Sequence, residues 1–178
     1  LSPQATITSA YPLKPKSPMI KSSTPPATRP IIGWREWVSL PQLGIEQVKA
    51  KIDTGARSSA LHAYEIETLE HQGKTMLRFK IHPKQKNDAF VIEAEAELLD
   101  QREVRNSGGQ AELRYFIQTE VMLNDQTWPI ELTLTNRDSM GFRMLLGREA
   151  VRGRFLVDAG QSFLQSATAQ PTLEQQRT

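Results

Sequence analysis

Alternation of apolar and polar residues with a period of two is the feature that most constrains the fold of this 178-residue chain. Successive side chains of a β-strand point to opposite faces, so this pattern predicts strands with one buried face. The turn-forming pairs Gln72-Gly73 and Asn124-Asp125 separate such strands. The chain is therefore expected to be all-β, as a barrel or a sandwich. The alternation is clearest in residues 47–52, 77–81, 113–123 and 128–134.

Two segments need separate interpretation. The stretch from Phe90 to Leu99 is rich in alanine and glutamate, which favour helix, but its apolar residues keep the strand period. We therefore predict a strand there. The stretch from Gly147 to Val151 follows three apolar residues and is the one place where a short helix is expected.

Composition divides the chain into three parts. Residues 1–30 are rich in Pro, Ser and Thr and almost free of periodic apolar residues, which predicts a disordered arm or linker. Residues 166–178 are polar and glutamine-rich, so they are expected to form a flexible tail. The folded domain is predicted to lie between them, over residues 31–165.

Composition also restricts the function. The chain has no cysteine, which excludes disulfides, thiolate zinc sites and a cysteine nucleophile. A net charge of +2 is too small to indicate a nucleic-acid partner, and no apolar run in the visible chain is long enough to span a membrane. Because the chain starts at Leu1 without Met, we expect processing and a periplasmic location, with the cytoplasm as the alternative.

The candidate catalytic motif is Asp53-Thr54-Gly55, at the end of an apolar strand. Glycine permits a sharp turn or a close backbone approach, and threonine can bond neighbouring main chain while the carboxylate stays presented. The alternative is a purely structural β-turn whose aspartate accepts amide hydrogen bonds. The sequence near the other end of the domain favours the catalytic interpretation.

That second element is Met144-Leu145-Leu146-Gly147-Arg148, an apolar run followed by glycine and arginine. Together with the early Asp-Thr-Gly-Ala, it resembles the retropepsin family of aspartic proteases, in which the late strand passes beside the catalytic loop. The resemblance covers most of residues 31–163. It implies a retropepsin-like (acid protease) closed barrel with one short C-terminal helix.

The longer stretches 52–63 and 132–137 are similar to one bacterial branch of this family. That branch is commonly labelled as ATP-dependent zinc proteases and is associated with ATP-grasp glutamate ligases that modify a ribosomal protein. The chain has neither a phosphate-binding G-x-x-x-x-G-K-[ST] motif nor H-E-x-x-H, and its histidines are scattered. We therefore expect no cofactor and no metal. A metal hydrolase that uses His62 is kept as an alternative.

The mechanism that the resemblance implies needs two carboxylates, whereas the chain has one Asp-Thr-Gly. A two-fold homodimer would bring Asp53 of each subunit to the axis, where the pair would activate a water molecule and hydrolyse a peptide bond. Thr54 would brace the two loops, and Gly55 would leave room for substrate. The alternative is a non-catalytic dimeric peptide-binding module with the same fold.

The resemblance also implies a peptide-binding cleft. Its arginines would favour acidic, glutamate-rich peptides. The segment from Arg105 to Gln110 is predicted to be a flap that covers the substrate, with an ordinary surface loop as the alternative. The residues predicted to bind substrate are Ala56, Arg57, His62, Gly108, Gly109, Arg137, Leu146, Gly147 and Arg148.

Overall fold

The computed structural model describes residues 28–84, 89–105, 109–136 and 141–166. Almost all of the predicted arm and tail lies outside these residues. The strands are β1 (Ile31–Gly33), β2 (Arg35–Leu40), β3 (Ile45–Asp53), β4 (Ser59–His62), β5 (Tyr64–His71), β6 (Lys74–Ile81), β7 (Ile92–Arg105), β8 (Ala111–Leu123), β9 (Gln126–Thr135), β10 (Met144–Gly147) and β11 (Leu156–Asp158). A 3-10 turn covers Pro41–Leu43, and the helix α1 covers Arg148–Val151.

The described chain confirms the predicted all-β class with one short helix. Both predicted turns join antiparallel strands: Gln72-Gly73 connects β5 to β6, and Asn124-Asp125 connects β8 to β9. The ambiguous segment is a strand from Ile92 onward, because β7 pairs with β6 on one side and β8 on the other. No helix among the described residues is long and apolar enough to cross a bilayer.

Nine strands form one sheet in the order β2-β3-β10-β4-β9-β8-β7-β6-β5. An additional bridge joins Ser39 of β2 to Met122 of β8. Strand β10 is inserted between β3 and β4 and runs parallel to β3. In that register Gly147 is the partner of Asp53, so the end of the late strand lies beside the candidate catalytic residue.

The core lies on the inward face of these strands. In β3, Val48, Ala50 and Ile52 are buried while the alternate residues face outward, as the period of two predicts. The helix contributes Ala150 and Val151 to the same cluster. The largest fully buried side chains are Phe79, Ile32, Leu40, Ile45, Leu61, Leu77, Ile81, Ile117, Leu123, Leu132, Leu134 and Met144.

The two ends of the described chain meet at a buried carboxylate. Glu36 is fully buried, and its oxygens accept hydrogen bonds from the backbone N–H groups of Gly33 (2.8 Å), Leu164 (2.8 Å) and Ser166 (3.1 Å). Ser166 is itself buried and was assigned to the flexible tail on composition alone. Its contact with Glu36 corrects that boundary, because the packed part of the chain extends beyond residue 165.

Candidate active site

Asp53 is the last residue of β3 and is only partly buried. One oxygen of its carboxylate, Oδ1, accepts hydrogen bonds from the N–H groups of Gly55 and Ala56, both at 3.1 Å. These are the contacts expected of a structural turn, and they also fix the carboxylate at the surface of the loop. The turn and the catalytic interpretation are therefore compatible, and the neighbours of the loop decide what the arrangement can do.

Gly147 lies against the back of the loop so closely that no side chain fits there. A Cβ atom added to Gly147 would lie 2.5 Å from the carbonyl carbon and oxygen of Ser58 and 2.8 Å from the carbonyl oxygen of Arg57. Its N–H donates to the Ser59 hydroxyl at 3.0 Å. The requirement for glycine at this position is thus a requirement for close backbone packing behind the candidate catalytic turn.

The start of α1 fixes the same loop by three hydrogen bonds. The backbone N–H groups of Arg148 and Glu149 donate to the carbonyl oxygens of Ala56 (2.8 Å) and Arg57 (3.1 Å). In addition, Nη1 of Arg148 donates to the carbonyl oxygen of Thr54 at 3.1 Å. Arg148 was predicted to bind substrate. The contact that the structure shows is with the main chain of the loop.

A cavity of about 250 Å³ lies beside the loop, and its charged lining residues are Arg57, Glu131 and Glu149. The Ser58 hydroxyl donates to Glu131 at 3.0 Å, while Arg102 forms a two-pronged contact with the same carboxylate at 2.9 and 3.1 Å. The guanidinium of Arg102 also lies 4.1 Å from the ring centre of Phe116. The hydrogen bond from Arg102 holds the pKa of the Glu131 carboxyl below its usual range.

Sequence reasoning did not identify Arg102 and Glu131 as functional residues. Glu131 is a polar residue in the apolar strand β9, between Ile130 and Leu132, and this interruption is the one local signal. Its partner Arg102 lies 29 positions away on β7, and no periodicity connects the two residues. The salt bridge contacts the loop through the hydroxyl of Ser58, which donates to Glu131.

Three of the predicted substrate-binding residues are buried. Leu146 is fully buried, Gly147 packs on the loop, and His62 is only 1% exposed. Strand β4 places the His62 ring 6.3 Å from the ring of Tyr64, in a stacked arrangement. The side chains of Leu146 on β10 and His62 on β4 are therefore turned away from solvent. In the described part of the chain, no group of three or more His, Asp or Glu side chains is placed to hold a metal ion.

The predicted flap lies between two long paired strands. Strands β7 and β8 are antiparallel up to the pair Arg105 and Ala111, so the connection between them is a hairpin. Gly109 has a φ of +80°, a conformation that glycine adopts at little cost. Gly108 and Arg137 lie outside the described residues. Ala56 and Arg57 lie on the loop itself, and the Arg57 side chain is exposed.

A family model described as the retropepsin-like aspartic endopeptidase RimB matches residues 31–168. A probable alpha-L-glutamate ligase of Parasynechococcus marenigrum is 47% identical over 144 residues, which cover 81% of this chain and 31% of that protein. One from Shewanella pealeana is 44% identical over 133 residues, which cover 75% of this chain and 29% of that protein. The chain thus spans about three tenths of the length of these relatives.

A solved structure has the same fold. The crystal structure of a Legionella pneumophila protein of unknown function is similar with a TM-score of 0.66 and 27% sequence identity. The match covers 78% of this chain and all of that one. The similarity therefore extends over the whole of that protein and includes most of the sheet described above.

Proposed function

Because this chain belongs to the RimB-like family of retropepsin-like aspartic endopeptidases, we propose that it is an aspartic peptidase whose catalytic carboxylate is Asp53. The observation that carries the proposal is the way in which Gly147 and Arg148 fix the Asp53 turn from behind. A catalytic carboxylate has to be held rigidly, because small displacements of reacting groups lower rates severely. The support of the turn by β10, by the start of α1 and by the Arg148 side chain meets this requirement.

We propose that the active form is a homodimer. In this assembly the Asp53 carboxylates of two subunits face each other across the two-fold axis. Two carboxylates so close together cannot both be ionised, so the pair holds one proton. The ionised member removes a proton from a water molecule, which attacks the carbonyl carbon of the peptide bond. The protonated member donates its proton to the carbonyl oxygen, which gives a tetrahedral diol that is not bonded to the enzyme. The carboxyl that took the water proton then protonates the amide nitrogen, the C–N bond breaks, and the other carboxylate takes a proton from a diol hydroxyl.

Thr54 and Gly55 have supporting roles in this proposal. Thr54 braces the two loops across the axis, and Gly55 leaves room for the substrate backbone. A closed barrel is also part of it. The bridge between Ser39 and Met122 joins β2 to β8, which supports a ring of six strands in the order β2-β3-β10-β4-β9-β8. Such a ring would give the catalytic loop a rigid frame.

The proposed substrates are acidic, glutamate-rich peptides. The matched relatives are named as glutamate ligases, and the region of similarity to this chain is one part of those longer proteins. Near the loop, the exposed side chain of Arg57 lines the cavity beside Glu131 and Glu149 and offers a cation for a substrate carboxylate. Both observations support this substrate class.

The test compares the purified protein with its Asp53→Asn variant on glutamate-rich and neutral peptides, with products identified by mass spectrometry. The amide is nearly isosteric with the carboxylate but cannot exchange the proton, so the variant should fold and show no turnover above background. Both proteins must be prepared identically, to exclude contaminating proteases. Equal cleavage by the two proteins would make Asp53 a structural turn residue and would reject the proposal.

A further inference from the structure

The basic side chains of the described chain have two different kinds of partner. On the strands β5 to β8, they pair with carboxylates: Lys74 with Glu97 (2.7 Å), Arg78 with Glu95 (2.8 Å) and Arg114 with Glu112 (3.1 Å). Around the outward face of β2 and β3, they lie on aromatic rings. The distances to ring centres are 4.6 Å from Arg35 to Trp34, 4.9 Å from Lys49 to Trp37 and 4.9 Å from Lys84 to Phe90.

This difference matters for binding because a carboxylate neutralises a cation, whereas a ring does not. A cation over a ring keeps its full charge, and its N–H groups remain available to an anion. Neither Lys49 nor Lys84 forms an ion pair with any of the described carboxylates. Lys49 and Lys84 are therefore cations that lie beside rings and are not compensated by the described carboxylates.

Two of these cations line one open groove of about 610 Å³, which we call the cation–aromatic groove. Its walls include Trp37, Lys49, Lys84, Phe90 and Ile92. Phe90 is 46% exposed, so the groove presents an apolar ring beside its two lysines. Lys49 precedes Asp53 by four positions on β3, which corresponds to a separation of about 13 Å along the strand. The groove is thus separate from the candidate active site.

We propose that the cation–aromatic groove is a second binding site, which holds an acidic polypeptide segment while Asp53 acts on another part of the same chain. This proposal rests on the proposed function for its substrate class. The ammonium groups of Lys49 and Lys84 bind carboxylates of the segment, and the rings beneath them contact its aliphatic side-chain carbons. Such a site would raise affinity for long acidic substrates without any change in the chemistry at Asp53.

The arrangement of the rings favours a carboxylate-rich peptide over a single-stranded nucleic acid. Proteins that bind single strands stack bases on open aromatic faces. Here Trp37 is stacked on Phe163, with ring centres 6.0 Å apart and planes 16° apart, and Lys49 lies 4.9 Å from the Trp37 ring centre and 6.0 Å from that of Phe163. The rings are used to hold cations, so the groups presented to a ligand are N–H donors.

The groove also contains one carboxylate, Glu46, which is exposed and lies on the same strand as Lys49. It should repel an acidic ligand. Removing this carboxylate should therefore change the affinity in the direction opposite to that expected for removing the lysines. Removal of Glu46 is expected to strengthen binding, which a misfolded variant could not do. Loss of the two lysines is expected to weaken it.

The experiment measures binding of fluorescently labelled decaglutamate to the full chain that carries Asp53→Asn, by anisotropy at low salt. Adding Lys49→Gln and Lys84→Gln together should weaken binding about tenfold, since each exposed charge pair contributes up to about 1 kcal/mol. Adding Lys74→Gln and Lys80→Gln instead, which removes two lysines paired with Glu97 and Glu65, should leave affinity unchanged. Adding Glu46→Gln should raise it about two- to threefold.

The outcomes separate this site from the proposed function, because binding to the inactive protein needs no turnover. Two results would overturn the proposed binding site. One is a decaglutamate affinity that the Lys49 and Lys84 changes do not affect. The other is an equal loss of affinity in the Lys74 and Lys80 control. An unchanged or reduced affinity in Glu46→Gln would also overturn it, as would tighter binding of an oligouridylate than of decaglutamate. None of these results would alter whether the parent protein cleaves peptides through Asp53.

Discussion

The guanidinium of Arg148 donates a 3.1 Å hydrogen bond to the carbonyl oxygen of Thr54, and this contact couples the first residue of α1 to the turn that presents Asp53. It acts together with the close packing of Gly147 behind the same loop. The conformation of the Asp53 turn is therefore determined by a strand and a helix that lie about 90 positions later in the chain. The proposed catalytic function depends on these long-range contacts, and each can be tested.

Replacing Gly147 with alanine should damage the site and the fold together. The new Cβ atom would lie 2.5 Å from the Ser58 backbone, which cannot move as easily as a side chain. We expect a loss of about 1–3 kcal/mol in the free energy of unfolding, measured by urea denaturation, with loss of peptidase activity. The matched control is Gly141→Ala, because a Cβ at Gly141 meets no atom within 4 Å. Equal effects of the two changes would contradict the packing argument.

Replacing Arg148 with methionine should lower kcat, although the protein should remain folded. The variant loses the hydrogen bond to the Thr54 carbonyl, and such a bond contributes about 1 kcal/mol, which corresponds to roughly a fivefold change in rate. Because the contact acts on the loop, KM should change little. Arg152→Met is the control, since the Arg152 side chain is 70% exposed and pairs with Glu149, outside the Asp53 turn. A rise in KM with unchanged kcat would instead assign Arg148 to substrate binding, as the sequence predicted.

The Arg102–Glu131 pair should make stability depend on pH in the acid range. The pKa of Glu131 is lowered in the folded state, first by the hydrogen bond from Arg102, so the ionised form stabilises the fold above the ordinary pKa of glutamate. That contribution is lost as the pH falls through the lowered folded pKa, below about 4. Partial exposure limits it to about 1 kcal/mol. Thermal unfolding of Glu131→Gln should therefore differ from the parent at pH 7 and converge with it near the acid limit.

The control for this titration is Glu120→Gln, because Glu120 is exposed and its side chain forms no such pair among the described contacts. The difference between parent and Glu120→Gln should be small at every pH. A difference between parent and Glu131→Gln that grows with acidification would have the wrong sign for a lowered pKa.

Replacing Glu36 with glutamine should destabilise the fold strongly. This prediction concerns the free energy of unfolding and does not depend on peptidase activity. The carboxylate is fully buried and accepts hydrogen bonds from several backbone N–H groups, one of which belongs to Ser166. An amide NH₂ would face donors instead of accepting from them. We expect a loss of about 2–4 kcal/mol in the free energy of unfolding. The exposed Glu103→Gln change should have almost no effect, and similar losses in both variants would contradict this role.

The strands could be predicted from the sequence because their signal is local. In β3, for example, the period of two places Val48, Ala50 and Ile52 on one face, and all three are buried. In β2, the same period places Glu36 on the buried face with Val38 and Leu40. The pattern does not reveal that the carboxylate of this glutamate accepts a hydrogen bond from the N–H group of Ser166, 130 positions away. Partners at that distance are fixed by the folded topology, and local periodicity contains no information about them.

The candidate site also contains residues that the sequence identifies and residues that it does not. Asp53, Thr54 and Gly55 form a continuous motif, so the sequence identifies them as candidates, and the register of β10 places Gly147 beside Asp53. In contrast, the salt bridge between Arg102 and Glu131 joins β7 to β9 and was not predicted. A lone histidine gives no local sign of the face on which it lies, and the structure places His62 on the buried face of β4.

The most direct test of the account measures activity in mixtures of parent and Asp53→Asn subunits that have been allowed to exchange, at constant total protein concentration. If each active site needs one Asp53 from each of two subunits, mixed dimers are inactive, and activity should fall as the square of the parent fraction. An equal mixture should then retain about a quarter of the parent activity, since random pairing leaves that share as parent dimers. Activity that falls in simple proportion to the parent fraction would show that each subunit works alone and would contradict the shared pair of carboxylates.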